Sequence, residues 1–216
     1  MSISARVSLA FALLCSLGFY FFVGQVLEAT KQHYREATEE PLIDLATILA
    51  AQVAEHAASH GGKVQSAAPT LALAFRRAYG ERFAAQIFAL KKQRVDVRVY
   101  LTDARGRVVF DSAGRAVGRY YAAWNDVWRT LQGAYGARMT HGDPWSKAGM
   151  MYVAAPVRSH GAIIGVLSVG KPTHSSDSFI RLAKRSTVLL GVLSAVTVVL
   201  LATLLTFLVA SPLRRL

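Results

Sequence analysis

Two long uncharged runs, one near each end of the 216-residue chain, constrain its folding more than any other feature. Residues 7–27 are 21 consecutive positions without a charge, with Leu9, Phe11, Leu13, Leu14, Phe19, Phe21 and Phe22 among them. A helix that crosses a bilayer needs about 20 such residues. Residues 186–213 are 28 more, and the stretch 188–210 makes a helix about 34 Å long at roughly 1.5 Å per residue. The runs predict transmembrane helices over 7–27 and 186–211. A cleaved signal peptide is the alternative for the first, because Arg6 precedes it and Leu27-Glu28-Ala29 loosely resembles a cleavage site; signal cores are shorter, about 7–15 residues. Arg6 before the first run and Arg214 and Arg215 after the second place both ends in the cytoplasm, since basic flanks stay inside. Lys184 and Arg185 oppose that orientation, but a long connecting domain is translocated largely regardless of its charge.

The expected organisation is therefore a cytoplasmic stretch over 1–6, a membrane helix over 7–27, an extracytoplasmic domain over 28–185, a second membrane helix over 186–211, and a further segment starting at 212–216. Only Arg6, Arg214 and Arg215 among the basic residues fall outside 28–187, which leaves 22 basic and all 13 acidic residues there and a charge of +9. A basic excess on the outer side speaks against nucleic acid as a partner. It suits a surface facing anionic lipid headgroups or a small anionic ligand. The one cysteine, Cys15, excludes an intrachain disulfide framework and any cysteine-rich zinc site.

Along the domain, Leu42, Leu45, Leu49 and Val53 recur at helical spacing with Ala46, Ala50 and Ala57 beside them, up to Gly61-Gly62. Pro41 either begins a fresh helix here or kinks one running on from the membrane. A second stripe, Phe75, Tyr79, Phe83 and Ile87, predicts another helix. The period then drops to two: Val95, Val97, Val99 and Leu101 alternate with Asp96, Arg98, Tyr100 and Thr102, as in a strand with one apolar face. Asp103-Ala104-Arg105-Gly106 supplies turn chemistry before a second strand at 107–110. Asn125 or Asp126 can cap a short helix through Leu131, ended by Gly133, and 137–140 form a further strand. Residues 150–157 and 162–170, joined at His160-Gly161, make the clearest hairpin. The order predicts an α+β domain built on an antiparallel sheet.

Three stretches carry a resemblance. VRVYLTDARGRVVFDS, at 97–112, resembles the strand-turn-strand signature of Cache domains, the PAS-like sensors found between two membrane helices. With RYYAAWNDVWRTLQGAYGAR and MMYVAAPVRSHGAIIGVLSVGKP it is similar, more narrowly, to the input region of CreC-type sensor histidine kinases. Ser211-Pro212-Leu213-Arg214-Arg215-Leu216, where a serine cap and a proline suit a helix start, is similar to the opening of a HAMP linker. The resemblance implies a homodimer in the bacterial inner membrane with its sensor in the periplasm. It also implies an ATP- and magnesium-dependent kinase region beyond these residues, a response regulator of the CreB type, and control of carbon-metabolism genes. Chemoreceptors and cyclic-dinucleotide enzymes share this input architecture, and a self-contained membrane-anchored binding or adaptor protein is the alternative of another class.

No enzyme site emerges from these residues. Residues 165–171 match P-loop spacing, but Pro172 stands where a magnesium-holding hydroxyl is required and the intervening residues read as strand. His56 and His60 have ligand spacing on a helix without a third ligand in register. His141 and Asp143 have no nucleophile placed beside them, so no catalytic residue, metal or cofactor is assigned to this chain. In a PAS-like fold one sheet face packs on the long helix and the other cups a ligand. The candidates for that cup are Arg98 and Tyr100 on the first strand, Tyr152 and Ser168 on later ones, Trp124 from the helical excursion, and Arg138 and Lys171 near the rim. Arginine and lysine neutralise an anion and the aromatics supply flat walls. Pairing of Arg98 with Asp96 or Asp111 is the structural alternative.

Overall fold

The computed structural model describes residues 3–87, 90–140 and 149–173, with helical positions at 189, 191–194, 196–197, 200–201 and 204. The chain divides into two compact units, Glu36–His174 and a second formed by Met1–Arg35 with Ser175–Leu216. In the latter, helix α1 (Ile3–Ser59) carries the first apolar run, with Leu14, Leu17, Tyr20, Phe21 and Phe22 exposed. A Cβ built on Gly191 would overlap the Phe19 ring, so two helical segments of this unit approach closely there. Among the described residues no helix is long and apolar enough to cross a membrane. The membrane reading of the two runs therefore rests on their sequence. The expected HAMP opening and the pair His141 and Asp143 lie outside the described residues.

In the unit Glu36–His174, α1 runs on through Pro41 without a break. The ring there removes the amide that would bond the Ala37 carbonyl. Leu42, Ala46, Ala50, Val53 and Ala57 form the buried face, and Leu45 and Leu49 flank it half-buried. Alanines at the centre of that face let the helix lie close to the sheet. Gly61 and Gly62, both at positive φ, follow the helix end, and a 3-10 turn (Val64–Ala67) leads into α2 (Ala68–Gly80). The apolar spacing predicts a helix on through Phe83 and Ile87, but α2 stops at Gly80. Ile87 belongs instead to a short hairpin, β1 (Ala85–Ile87) with β2 (Leu90–Lys92), and both apolar side chains are exposed.

The main sheet comprises β3 (Arg98–Asp103), β4 (Val108–Asp111), β5 (Gly136–Thr140), β6 (Met150–Ser159) and β7 (Ala162–Pro172), all antiparallel, in the order β4-β3-β7-β6-β5. β3 begins at Arg98 rather than at Val95. Gly106, at φ +77, turns the β3–β4 hairpin, and a Cβ there would come within 2.7 Å of Ala122. His160 and Gly161 both take positive φ between β6 and β7, the geometry of a tight primed hairpin turn. A register shift in β3–β4 keeps Phe110 beside Leu101 and Val108 beside Thr102.

Strand parity sorts the core into two layers. Val99, Leu101, Met151, Val153, Leu167 and Val169 face α1 and α2, where Phe75 packs against Phe110. Tyr79 fixes the end of α2 by donating its hydroxyl to the Val97 carbonyl, while its oxygen shares a hydrogen bond with the Ser112 hydroxyl, each at 2.8 Å. Tyr100, Tyr152, Ala154, Val166 and Ser168 occupy the opposite face under the excursion that contains α3 (Asn125–Leu131). The result is an α+β fold with a long N-terminal helix packed on one face of an antiparallel sheet.

Candidate functional site

The second sheet face gathers six of the seven sequence candidates. Arg98 and Tyr100 come from β3, Ser168 from β7 and Tyr152 from β6, all on even positions that share one side of the sheet. Arg138 comes from β5, paired with Tyr152. Trp124 precedes α3. Lys171 does not join them: its register partner is Met151, which faces α1. An odd position three residues beyond Ser168 necessarily points the other way.

Each arginine already holds a carboxylate. Arg98 grips Asp111 with two prongs, Nε to Oδ1 at 3.0 Å and Nη2 to Oδ2 at 3.2 Å, and donates Nη1 to the Tyr152 hydroxyl at 2.9 Å. Asp111 also accepts the backbone amides of Ala113, Arg115 and Ala116, so this pair organises the loop after β4. Burial alone would lower the Arg98 pKa, but the Asp111 hydrogen bond and the neighbouring Tyr152 and Asp111 oxygens outweigh it and the net direction is up. Of the two acidic partners weighed from sequence, Asp111 is the one it holds in this fork, while Asp96 accepts from Lys92 at 2.8 Å.

Arg138 donates Nε to Asp126 Oδ1 at 2.9 Å. Its guanidinium lies between two rings, 4.0 Å from the centroid of Trp124 and 4.4 Å from that of Tyr152, an arrangement that suits a planar cation. Asp126 Oδ2 accepts the Tyr100 hydroxyl and the Ser168 hydroxyl, the latter at 2.9 Å. Tyr100, Asp126 and Ser168 are wholly buried. Burial and then the Asp126 charge push the Tyr100 pKa well up, which keeps the phenol a donor. Burial pulls the Arg138 pKa down, yet the Asp126 and Tyr100 oxygens reverse that and the net shift is upward. Tyr121 stacks on Trp124 at 3.4 Å and meets Tyr100 edge-on.

Asp126 is the central residue that sequence reasoning assigned to another task. Neither it nor Asn125 caps α3; the N-cap is Trp124, without a side-chain cap bond. Asn125 donates to the Ala137 carbonyl at 2.7 Å, and Asp126 turns down into the sheet. The expected helix end does form at Gly133, where the amides of Gly133 and Ala134 bond the carbonyls of Thr130 and Arg129. Gly136 lets β5 approach, since a Cβ there would overlap the Asp126 carbonyl and Thr130 Oγ1. Two cations, Arg98 buried and Arg138 half-buried, are matched by the buried Asp111 and Asp126, so the arginines are not free to neutralise a further anion. Two grooves, of about 390 and 420 Å³, lie along α1. One is bounded by α2 residues such as Leu71 and Phe75, the other by Pro156, Arg158 and His160.

Residues 29–183 match the family model described as single cache domain 3. The chain belongs to this family. A curated relative, Sensor protein CreC of Escherichia coli (strain K12), is 40% identical over 198 residues, 89% of this chain and 41% of that protein. The chain thus spans about two fifths of the length of that relative. Its Cache unit is a sensor domain of the CreC type, extracytoplasmic in a membrane-embedded signalling protein. Among solved structures, the sensor domain of the V. cholerae histidine kinase DctB is 16% identical, covering 73% of this chain and 56% of that one, with a TM-score of 0.47. The ligand-binding domain of the Campylobacter jejuni chemoreceptor Tlp3, in complex with L-valine, is 13% identical, covering 77% and 66%, with a TM-score of 0.46.

Proposed function

We propose that the chain is the signal-input half of a CreC-type sensor histidine kinase: residues 7–27 and 186–211 cross the inner membrane, the Cache domain lies in the periplasm, and two copies form a homodimer. A kinase region using ATP and magnesium, a CreB-type response regulator and control of carbon-metabolism genes complete the reading. The observation that carries it is the likeness to CreC. Its 198 aligned residues exceed the segment 29–183 matched as Cache, so the similarity extends into the flanking apolar runs.

The domain supplies a route from signal to helix. β3 and β7 present alternate residues to opposite faces, Tyr100 and Ser168 to the buried polar cluster, Val99, Leu101, Leu167 and Val169 to α1. A change at the cluster alters the packing of α1 to the extent that it favours one arrangement over another. For the test, the chain is joined ahead of the HAMP and kinase regions of the E. coli relative in cells lacking that relative, and regulator phosphorylation is measured. Arg138→Ala and Tyr152→Ala are each expected to change phosphorylation at least about fivefold, the scale of a roughly 1 kcal/mol coupling, at unchanged membrane abundance. Output indifferent to both substitutions sinks the reading.

A further inference from the structure

One small sheet stands apart from the core. β1 and β2 form a two-stranded sheet separate from the five-stranded one, and two strands by themselves are marginally stable in water unless their apolar side packs on something. Pairing extends beyond β1, because the Phe83 amide bonds the Gln93 carbonyl at 3.2 Å. Phe83, Ala85 and Ile87 alternate onto one face of this ribbon, while Gln86 and its register partner Lys91 take the other. Phe83 and Ile87 are 39% and 49% exposed and belong to neither core layer.

Cations accompany this apolar face. Arg76 and Arg77 in the last turns of α2, with Arg82, Lys91 and Arg94, are exposed, and Lys92 pairs with Asp96. Residues 76–96 hold six basic and two acidic side chains, a charge of +4. Two copies of such a face repel each other, whereas an anionic surface attracts it. Exposed apolar side chains set among arginine and lysine are the composition of an element that lies at the boundary between lipid headgroups and acyl chains.

Topology sets where the hairpin stands. It leads into β3 at Arg98, opposite Gly170 near the end of β7, and Tyr79 holds the Val97 carbonyl there. Ala54 and Ala58 of α1 lie beside Pro156, Arg158 and His160 at the other end of the sheet. α1 therefore enters the domain, and β7 leaves it, at the end where the hairpin stands, so both connections toward the apolar runs are made there.

We propose that the β1–β2 hairpin is a lipid-docking element: Phe83 and Ile87 enter the headgroup–acyl boundary of an anionic bilayer, and Arg76, Arg77, Arg82, Lys91 and Arg94 hold its phosphates. The choice of a bilayer as occupant rests on the reading of the two runs as membrane helices. Docking ties the start of β3, and with it Arg98, to the lipid surface, so the charge of the bilayer bears on the domain directly.

The test uses the full chain with Cys15→Ser, reconstituted into phosphatidylcholine vesicles with or without phosphatidylglycerol. The vesicles also contain a lipid that carries a nitroxide quencher high on its acyl chain. A fluorophore is attached at Ala84→Cys, which leaves Phe83 and Ile87 in place, or at Lys63→Cys, next to the Val64 that packs by Gly165 at the far end of the sheet. With phosphatidylglycerol present, the label at 84 is expected to be quenched and the label at 63 not. Arg76→Gln/Arg77→Gln should lower the ratio of docked to free hairpin about fivefold for each charge removed. Phe83→Ser/Ile87→Ser should abolish quenching, and 1 M salt, which screens charges beyond about 3 Å, should weaken it. Equal quenching at 84 and 63, or quenching indifferent to phosphatidylglycerol, overturns the proposal. So does energy transfer between labels of two copies in place of lipid quenching, which assigns the face to a second copy. Resistance to alkaline extraction is measured on the same vesicles. An integrated chain without quenching overturns the docking and leaves the spanning reading intact; a chain that is quenched yet extracted sinks the spanning reading and keeps the docking.

Discussion

Tyr100→Phe removes one oxygen and leaves the ring, with its edge-on contacts to Tyr121 and Trp124 and its tilted contact to Tyr152. The lost interaction is a hydroxyl donated to a buried carboxylate, and hydrogen bonds to charged groups contribute about 1.5–3 kcal/mol. Ser168 still donates to the same oxygen, which puts the expected loss near 2 kcal/mol. For a domain the size of Glu36–His174, each kcal/mol moves the midpoint by roughly 3–5 °C, so the substitution is expected to lower it by roughly 6–10 °C. Ser168→Ala alone is expected to cost about 1 kcal/mol. The double variant leaves Asp126 Oδ2 with neither hydroxyl, and its cost should exceed the sum of the single costs by about 1 kcal/mol, because the two donors share an acceptor. Alkali gives a second reading. A phenol whose pKa is raised on folding contributes stability that is fully present below its unfolded value near 10 and is lost as the pH climbs toward the folded value. Stability of the unsubstituted chain should therefore fall above about pH 10, and less steeply in Tyr100→Phe. Thermal unfolding followed by near-UV circular dichroism measures all of this. A loss under 0.5 kcal/mol, strict additivity with Ser168→Ala, or an unchanged alkaline slope would refute the assignment of Tyr100 as the neutral donor to Asp126.

Gly136→Ala drives a methyl group into the Asp126 carbonyl and Thr130 Oγ1, and is expected to cost about 1–3 kcal/mol by overpacking; an unchanged unfolding midpoint would show that α3 yields freely. Arg98→Lys keeps the charge but loses the two-pronged grip on Asp111. We expect a loss of about 2 kcal/mol together with faster exchange of the Ala113, Arg115 and Ala116 amides, and exchange confined to other regions would contradict the role given to Asp111.

Much of the arrangement was legible because strand parity is unforgiving. Alternation at Val97, Val99 and Leu101 set one face of β3 toward the helix, which placed Arg98 and Tyr100 on the other. The same counting along β6 and β7 brought Tyr152 and Ser168 to them. Lys171 was misassigned against that rule, since three steps from Ser168 reverse the face. Asp126 was illegible for a different reason. An aspartate at a helix start satisfies local capping and distant pairing equally well in sequence, and the choice depended on β5 bringing Arg138 within reach, a contact made across the sheet. The end of α2 shows the opposite failure: apolar spacing continued through Phe83 and Ile87, but Gly80 ended the helix and the spacing was coincidental.

The place of β7 in the sheet also sets a timetable for the chain's birth. β3 and β4 are synthesised together, but the other edge of β3 pairs with β7, Arg98 opposite Gly170. The roughly 60 residues from the end of β4 to the end of β7 take about 3–12 s to make at roughly 5–20 residues per second. During that interval β3 offers an open hydrogen-bonding edge, the kind of surface that invites wrong partners. Arg98 and Tyr100 meanwhile wait without Tyr152, Arg138 or Ser168. The last strand to emerge closes the edge and completes the cluster in one step, so a nascent chain has no half-built sensor that could respond before the fold is finished.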